Sequence, residues 1–80
     1  MSKEKIFEIV KKNVMEILDD VDPDEITIDK QLKALGANSI DRVEIVTMTI
    51  EDLNIKLSPS ELGSVNNLQS LVDLLYSKVV

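Results

Sequence analysis

Three stretches of this chain repeat Ile, Leu and Val at intervals of three and four residues. That spacing constrains the fold more than any other feature. In the first stretch, Ile6, Val10, Val14, Ile17 and Leu18 follow Ser2, a residue type that caps helices, so a helix is predicted over about residues 3 to 18. "DDVDPDE" ends it, because Pro23 restricts Asp22 and has no amide hydrogen. A second helix is expected to start at Ser39, with Ser39 as its cap, and to reach about Leu53. Side chains advance by about 100° per residue. Ile40, Val43, Val46, Ile50 and Leu53 then share one side and form its core stripe. Asp41, Glu44, Glu51 and Asp52 take the opposite side, with Met48 pointing out among them and Ile45 at the flank.

"SPSE" at residues 58 to 61 has the form of a capping box with proline at the first helical position, and Gly63 follows almost at once. A very short third helix is expected there. Asn66 or Asn67 then caps a last helix with Leu68, Leu71, Val72, Leu75 and Val79 as its stripe. Residues 19 to 38 read as a long connection pinned to the core by Ile26, Ile28, Leu32 and Leu35. A loop of that length in a small domain is often functional. The expected fold is all-α: a four-helix bundle with three main helices, one short helix and a long first loop, residues 1–80 forming one domain.

Composition narrows the chemistry. The chain has 80 residues, no cysteine and no histidine. Disulfides, thiolate metal sites, the thiol nucleophile and the usual general base are therefore absent. Ser39 is a weak nucleophile without a base to activate it. No Gly-rich phosphate loop is present, so autonomous catalysis is not expected. Asp20, Asp22 and Asp24 open like a calcium-binding EF-hand loop. Glu25 stands where that loop needs glycine and Gln31 where it needs glutamate, so a solvated acidic loop is the better reading.

The net charge is −6, which disfavours nucleic acid and anionic lipid as partners. Residues 13 to 55 hold eleven acids against Lys30, Lys33 and Arg42, so the middle of the chain would attract a basic partner. "MSKEKIFEIVKK" is charged throughout and lacks the apolar core of a signal peptide, and no apolar run is long enough to span a bilayer. A soluble, monomeric cytoplasmic protein with no membrane partner is expected.

"LGANSID" gathers the functional signal. Gly36 lets the backbone turn sharply before the helix. Ser39 stands at the helix N-terminus, where free amides and the dipole favour a phosphate group, and Arg42 is one turn on. A serine that does not act alone but is well placed to carry a phosphate suggests modification by another enzyme.

"LGANSIDRVEIV" resembles the attachment motif of acyl carrier proteins, L-G-x-D-S-L followed by an acidic residue. The resemblance extends over the chain: length, acidity, first helix, long connection, short third helix and leucine-rich last helix agree with that family. It implies that Ser39 carries 4′-phosphopantetheine, installed by a phosphopantetheinyl transferase. It also implies that Asn38, Ile40, Asp41, Arg42, Glu44, Ile45, Thr47, Met48, Glu51 and Asp52 meet partner enzymes. Asn38 departs from the motif, standing where the family most often has aspartate. A finer resemblance, carried by Arg42 and "VTMTIEDL", is to stand-alone donor carriers of polyketide β-branching cassettes. It implies an enzyme resembling hydroxymethylglutaryl (HMG)-CoA synthase as acceptor of an acetyl group. An acyltransferase, or a decarboxylase or ketosynthase of a polyketide pathway, is the implied supplier. Three rivals stand beside this reading. An aminoacyl or peptidyl carrier shares the modified serine, and a fatty-acid acyl carrier protein shares the motif. From a different class, an unmodified helical interaction module would use Ser39 only as a cap.

Overall fold

The Ser2 hydroxyl accepts the amide hydrogen of Lys5 at 3.2 Å and starts helix α1, Lys3–Ile17. The computed structural model describes residues 1–79, with all their side chains except those of Pro59 and Ser64. Helix α1 stops one residue earlier than the spacing predicts. Leu18 leaves helical geometry (φ −108°, ψ 87°) while its amide still bonds Val14 at 2.8 Å. The break therefore precedes Pro23 by several residues. Pro23 instead holds Asp22 in the extended conformation (φ −76°, ψ 130°) that a residue before proline prefers. The Asp22 carboxylate accepts the Asp24 amide hydrogen at 2.9 Å and caps a 3-10 turn, Pro23–Glu25. One carboxylate of the acidic stretch at residues 20–24 is thus engaged in capping.

The long connection is held at both levels expected of a structured loop. Ile26 is buried at 2% exposure, and Ile28, Leu32 and Leu35 pack against the core. Its backbone also meets the last helix, α3, Leu68–Val79. The amides of Leu68 and Gln69 donate to the carbonyls of Lys30 and Ile28 at 2.9 and 2.7 Å. The first amides of a helix have no partner inside it, so the loop supplies them. Asn67 completes that cap: its side-chain oxygen accepts the Ser70 amide hydrogen at 2.9 Å. Of the two asparagines the sequence left open, Asn67 is the cap.

Helix α2, Ser39–Leu53, lies between these elements. It ends at Asn54, which adopts the left-handed conformation (φ 54°) tolerated best by glycine and asparagine. The expected short third helix is a 3-10 segment, Pro59–Ser64, and the Glu61 carboxylate accepts the Ser58 amide hydrogen at 3.0 Å. Three α-helices and no strand among the described residues make the all-α bundle.

The core joins Ile6, Val10 and Val14 of α1 to Ile45 and Val46 of α2 and to Leu68, Leu71, Val72 and Leu75 of α3, with Ile26 from the loop. The α2 stripe differs from the predicted one. Ile40 and Val43 are 70% and 63% exposed, whereas Ile45 and Thr49 are fully buried. The helix is rotated so that the Ile45–Thr49 side faces α1. A polar pair fixes that rotation. Asn13 of α1, 1% exposed, donates its amide to the Thr49 hydroxyl at 2.9 Å and to the Asp52 carboxylate at 3.1 Å. Thr49 in turn donates to the Ile45 carbonyl at 2.8 Å. Buried polar groups are costly unless bonded; the Asn13 side-chain oxygen is buried without a partner, and a setting of α2 that also parted Thr49 from the Asn13 amide nitrogen would cost more. A helical wheel weighted by hydrophobicity puts Ile40 inside and Ile45 at the flank, and so misses this setting.

Candidate functional site

The turn before α2 is built from the sequence "LKALGANS". Lys33–Leu35 form a 3-10 turn that closes on Gly36 at φ 99°, in the left-handed region where a Cβ is strained. The amides of Gly36 and Ala37 bond back to the carbonyls of Lys33 and Leu32, each at 3.1 Å. Ala37, 5% exposed, anchors the turn in the core and aims the next residues into α2.

The cap of α2 is Asn38 and not Ser39. The Asn38 side-chain oxygen accepts the Asp41 amide hydrogen at 2.8 Å, and the Asp41 carboxylate accepts the Asn38 amide hydrogen at 3.3 Å. This is a reciprocal capping box with asparagine in the leading place. The correction has a physical reason. The extended backbone that a cap needs belongs to Asn38 (φ −82°, ψ −177°), while Ser39 is already the first helical residue. Ser39 is thereby released from capping, and the ground for treating it as a mere cap is gone.

Ser39 is exposed, and its hydroxyl oxygen accepts one hydrogen bond, from Arg42 Nη2 at 3.2 Å. Helical side chains lean toward the N-terminus, so a residue three positions on reaches back over the first turn. Among the described residues, this one partner of the hydroxyl is a donor, so no side chain here is placed to take its proton. Ser39 and Arg42 also edge a groove whose apolar walls are Val43 and Val46 of α2 and Leu62 and Val65 of the 3-10 segment and its end.

The expected docking residues divide in the structure. Arg42, Glu44, Thr47, Glu51 and Asp52 are exposed on α2, and Asp41 and Met48 are half-buried. Glu44 and Glu51 enter no ion pair among the described residues. Asp52 also accepts from Asn13, and Asp41 and Asn38 serve the cap. Ile45 does not belong to this face: it is fully buried in the core, where the rotation of α2 puts it. Ile40, expected both in the core stripe and among the docking residues, and Val43, expected in the core, are instead the exposed apolar residues near Ser39. No helix among the described residues is long and apolar enough to cross a membrane.

The donor set suits a phosphodiester. An unburied hydroxyl at the head of a helix, freed from capping and touched by a guanidinium, sets an accessible oxygen beside a positive partner. The chain is similar to known proteins. The family described as phosphopantetheine attachment site matches residues 8–75. The polyketide biosynthesis acyl-carrier-protein AcpK of Bacillus subtilis (strain 168) is 43% identical over 79 residues, covering 99% of this chain and 96% of its own. An acyl carrier protein of Guillardia theta is 36% identical over 80 residues, covering 99% and 98%. A chain in the crystal structure of the curacin biosynthetic pathway HMG synthase in complex with acetyl donor-ACP superposes with a TM-score of 0.89 at 36% identity. The match covers 98% of this chain and 100% of that one.

Proposed function

We propose that this chain, which belongs to the acyl carrier protein family with its phosphopantetheine attachment site, carries 4′-phosphopantetheine on Ser39. Residues 1–80 act as one carrier domain. The observation that carries the assignment is the division of labour at the head of α2, where Asn38 caps and the Ser39 hydroxyl, not used in capping, faces a cation. When bound, the group supplies a terminal thiol that holds an acyl chain as a thioester.

Loading is a substitution at phosphorus. The Ser39 oxygen bonds to the phosphorus of coenzyme A that bears the pantetheine arm, the bond from that phosphorus to the adenosine bisphosphate oxygen breaks, and the adenosine bisphosphate leaves. The serine proton passes to a base of the transferase, since none faces Ser39 among the described residues. The chain is in this sense a substrate of other enzymes and not a catalyst.

Ile40 and Val43 give partners an apolar contact next to the attachment point, and Glu44 and Glu51 are exposed on the same helix. Exposed charge pairs speed and orient docking while adding little affinity, which suits a carrier that must leave after delivery. The acyl group is acetyl and the acceptor an HMG-CoA-synthase-like enzyme of polyketide β-branching. Support comes from the likeness to the polyketide carrier of Bacillus subtilis and to the acetyl donor-ACP held by the curacin HMG synthase.

The donor role is tested with acetyl-loaded protein and a synthase of that type. The synthase should gain one acetyl group, by intact mass, faster from this chain than from a fatty-acid acyl carrier protein loaded in the same way. Equal rates, or no transfer, would reject the donor role and leave the carrier assignment standing.

A further inference from the structure

We infer that Arg42 is a positioning residue for the loaded group: its guanidinium binds the phosphodiester on Ser39 and orients the arm as it leaves the protein. The inference rests on Ser39 being the attachment residue. Arg42 is the single arginine of an acidic chain. It stands on the turn that follows Ser39, and Nη2 lies 3.2 Å from Ser39 Oγ. The non-bridging oxygens of a phosphate on that oxygen lie within reach of the same guanidinium, one bond beyond phosphorus. A guanidinium offers several donors in a planar fork that matches phosphate geometry.

Nothing competes for it. No carboxylate pairs with Arg42 among the described residues, although Asp41 and Glu44 are close in sequence. Asp41 is turned back into the capping box. The phosphodiester adds a negative charge to a helix that already carries Asp41, Glu44, Glu51 and Asp52, and Arg42 is the one cation that α2 offers it. Position adds direction. Arg42 lines both the apolar groove of Val43, Val46, Leu62 and Val65 and a mixed recess that includes Gln31, Lys33 and Asn66. A phosphate held by Arg42 is therefore fixed where the two share a wall, and the arm starts from a defined point.

The test uses the full chain loaded from coenzyme A, with Arg42→Ala, Arg42→Lys and Ser39→Ala beside it. Circular dichroism checks that each variant is folded. Because there is one arginine, its Nε–H gives a single resonance in a proton–nitrogen correlation spectrum. That resonance should shift when the wild type is loaded and stay in place in Ser39→Ala. The phosphorus NMR signal of loaded wild type should move with added salt toward the position of loaded Arg42→Ala, which itself should respond little. Loaded Arg42→Lys should lie between them, because a lysine keeps the charge and loses the fork. Normal loading by mass, with an unmoved arginine resonance and the same phosphorus signal in wild type and Arg42→Ala, overturns this inference alone. Absence of any mass gain at Ser39 overturns the reading of the site, and this inference with it.

Discussion

Asn38 and Asp41 bond to each other twice at the head of α2, side chain to amide in both directions, at 2.8 and 3.3 Å. The pair separates two roles that the sequence assigns to one serine. Asn38→Ala should cost about 0.5–2 kcal/mol of stability, the usual range for losing a cap. Ser39→Ala should change stability by less than about 0.5 kcal/mol, as expected of an exposed position outside any cap. Urea unfolding of the two variants checks this. A larger loss for Ser39→Ala than for Asn38→Ala would return the cap to Ser39.

The two isoleucines of the α2 N-terminal half should behave oppositely. Ile45 is fully buried, so Ile45→Ala should destabilise by about 2–5 kcal/mol. Ile40 is 70% exposed, so Ile40→Ala should leave stability within about 0.5 kcal/mol and instead slow acyl transfer to a partner enzyme. Unfolding midpoints and transfer rates read the two effects separately.

The outline of the fold was legible because it rests on local signals. Ser2 caps α1, Glu61 closes the "SPSE" box, and Leu68, Leu71, Val72 and Leu75 form the buried stripe that their spacing predicts. The setting of α2 was not legible. Both Ile40 and Ile45 are apolar, and the choice between them depends on a buried bond from Asn13 to Thr49, residues 36 positions apart. No local pattern announces such a bond. The site was legible as a stretch, "LGANS", through its glycine and serine. Which residue caps is decided by backbone angles one position apart, and the motif reading gave that role to Ser39.

The Asn13–Thr49 bond carries a stability consequence of its own. Thr49→Val keeps the shape but takes away the hydroxyl that the buried Asn13 amide uses, and should cost about 1–3 kcal/mol. Adding Asn13→Leu should recover part of that loss, because replacing both partners by apolar groups leaves nothing unpaired. Chemical unfolding of the single and double variants decides it; an additive loss would show that the two side chains do not act as a pair.

Stability should also depend on pH through Glu61. Its carboxylate meets Lys78 Nζ at 2.6 Å and accepts the Ser58 amide hydrogen. Lys78 first and the Ser58 amide second hold its pKa below the ordinary carboxylate range. A folded pKa below the unfolded one gives stability that is complete above the unfolded value and is lost as pH falls through the folded value. Wild type should therefore exceed Glu61→Gln in stability at neutral pH, and the gap should close in acid, below the ordinary carboxylate range. Thermal unfolding across that interval checks the sign, and a gap that widens in acid would contradict it.

The central claim is that Ser39 receives the prosthetic arm. Its most direct test is the intact mass of the chain after incubation with coenzyme A, magnesium and a broad-specificity phosphopantetheinyl transferase that loads a control carrier in the same tube. The wild type should gain one phosphopantetheine and Ser39→Ala none. An unchanged wild-type mass, or an equal gain in Ser39→Ala, would contradict the account.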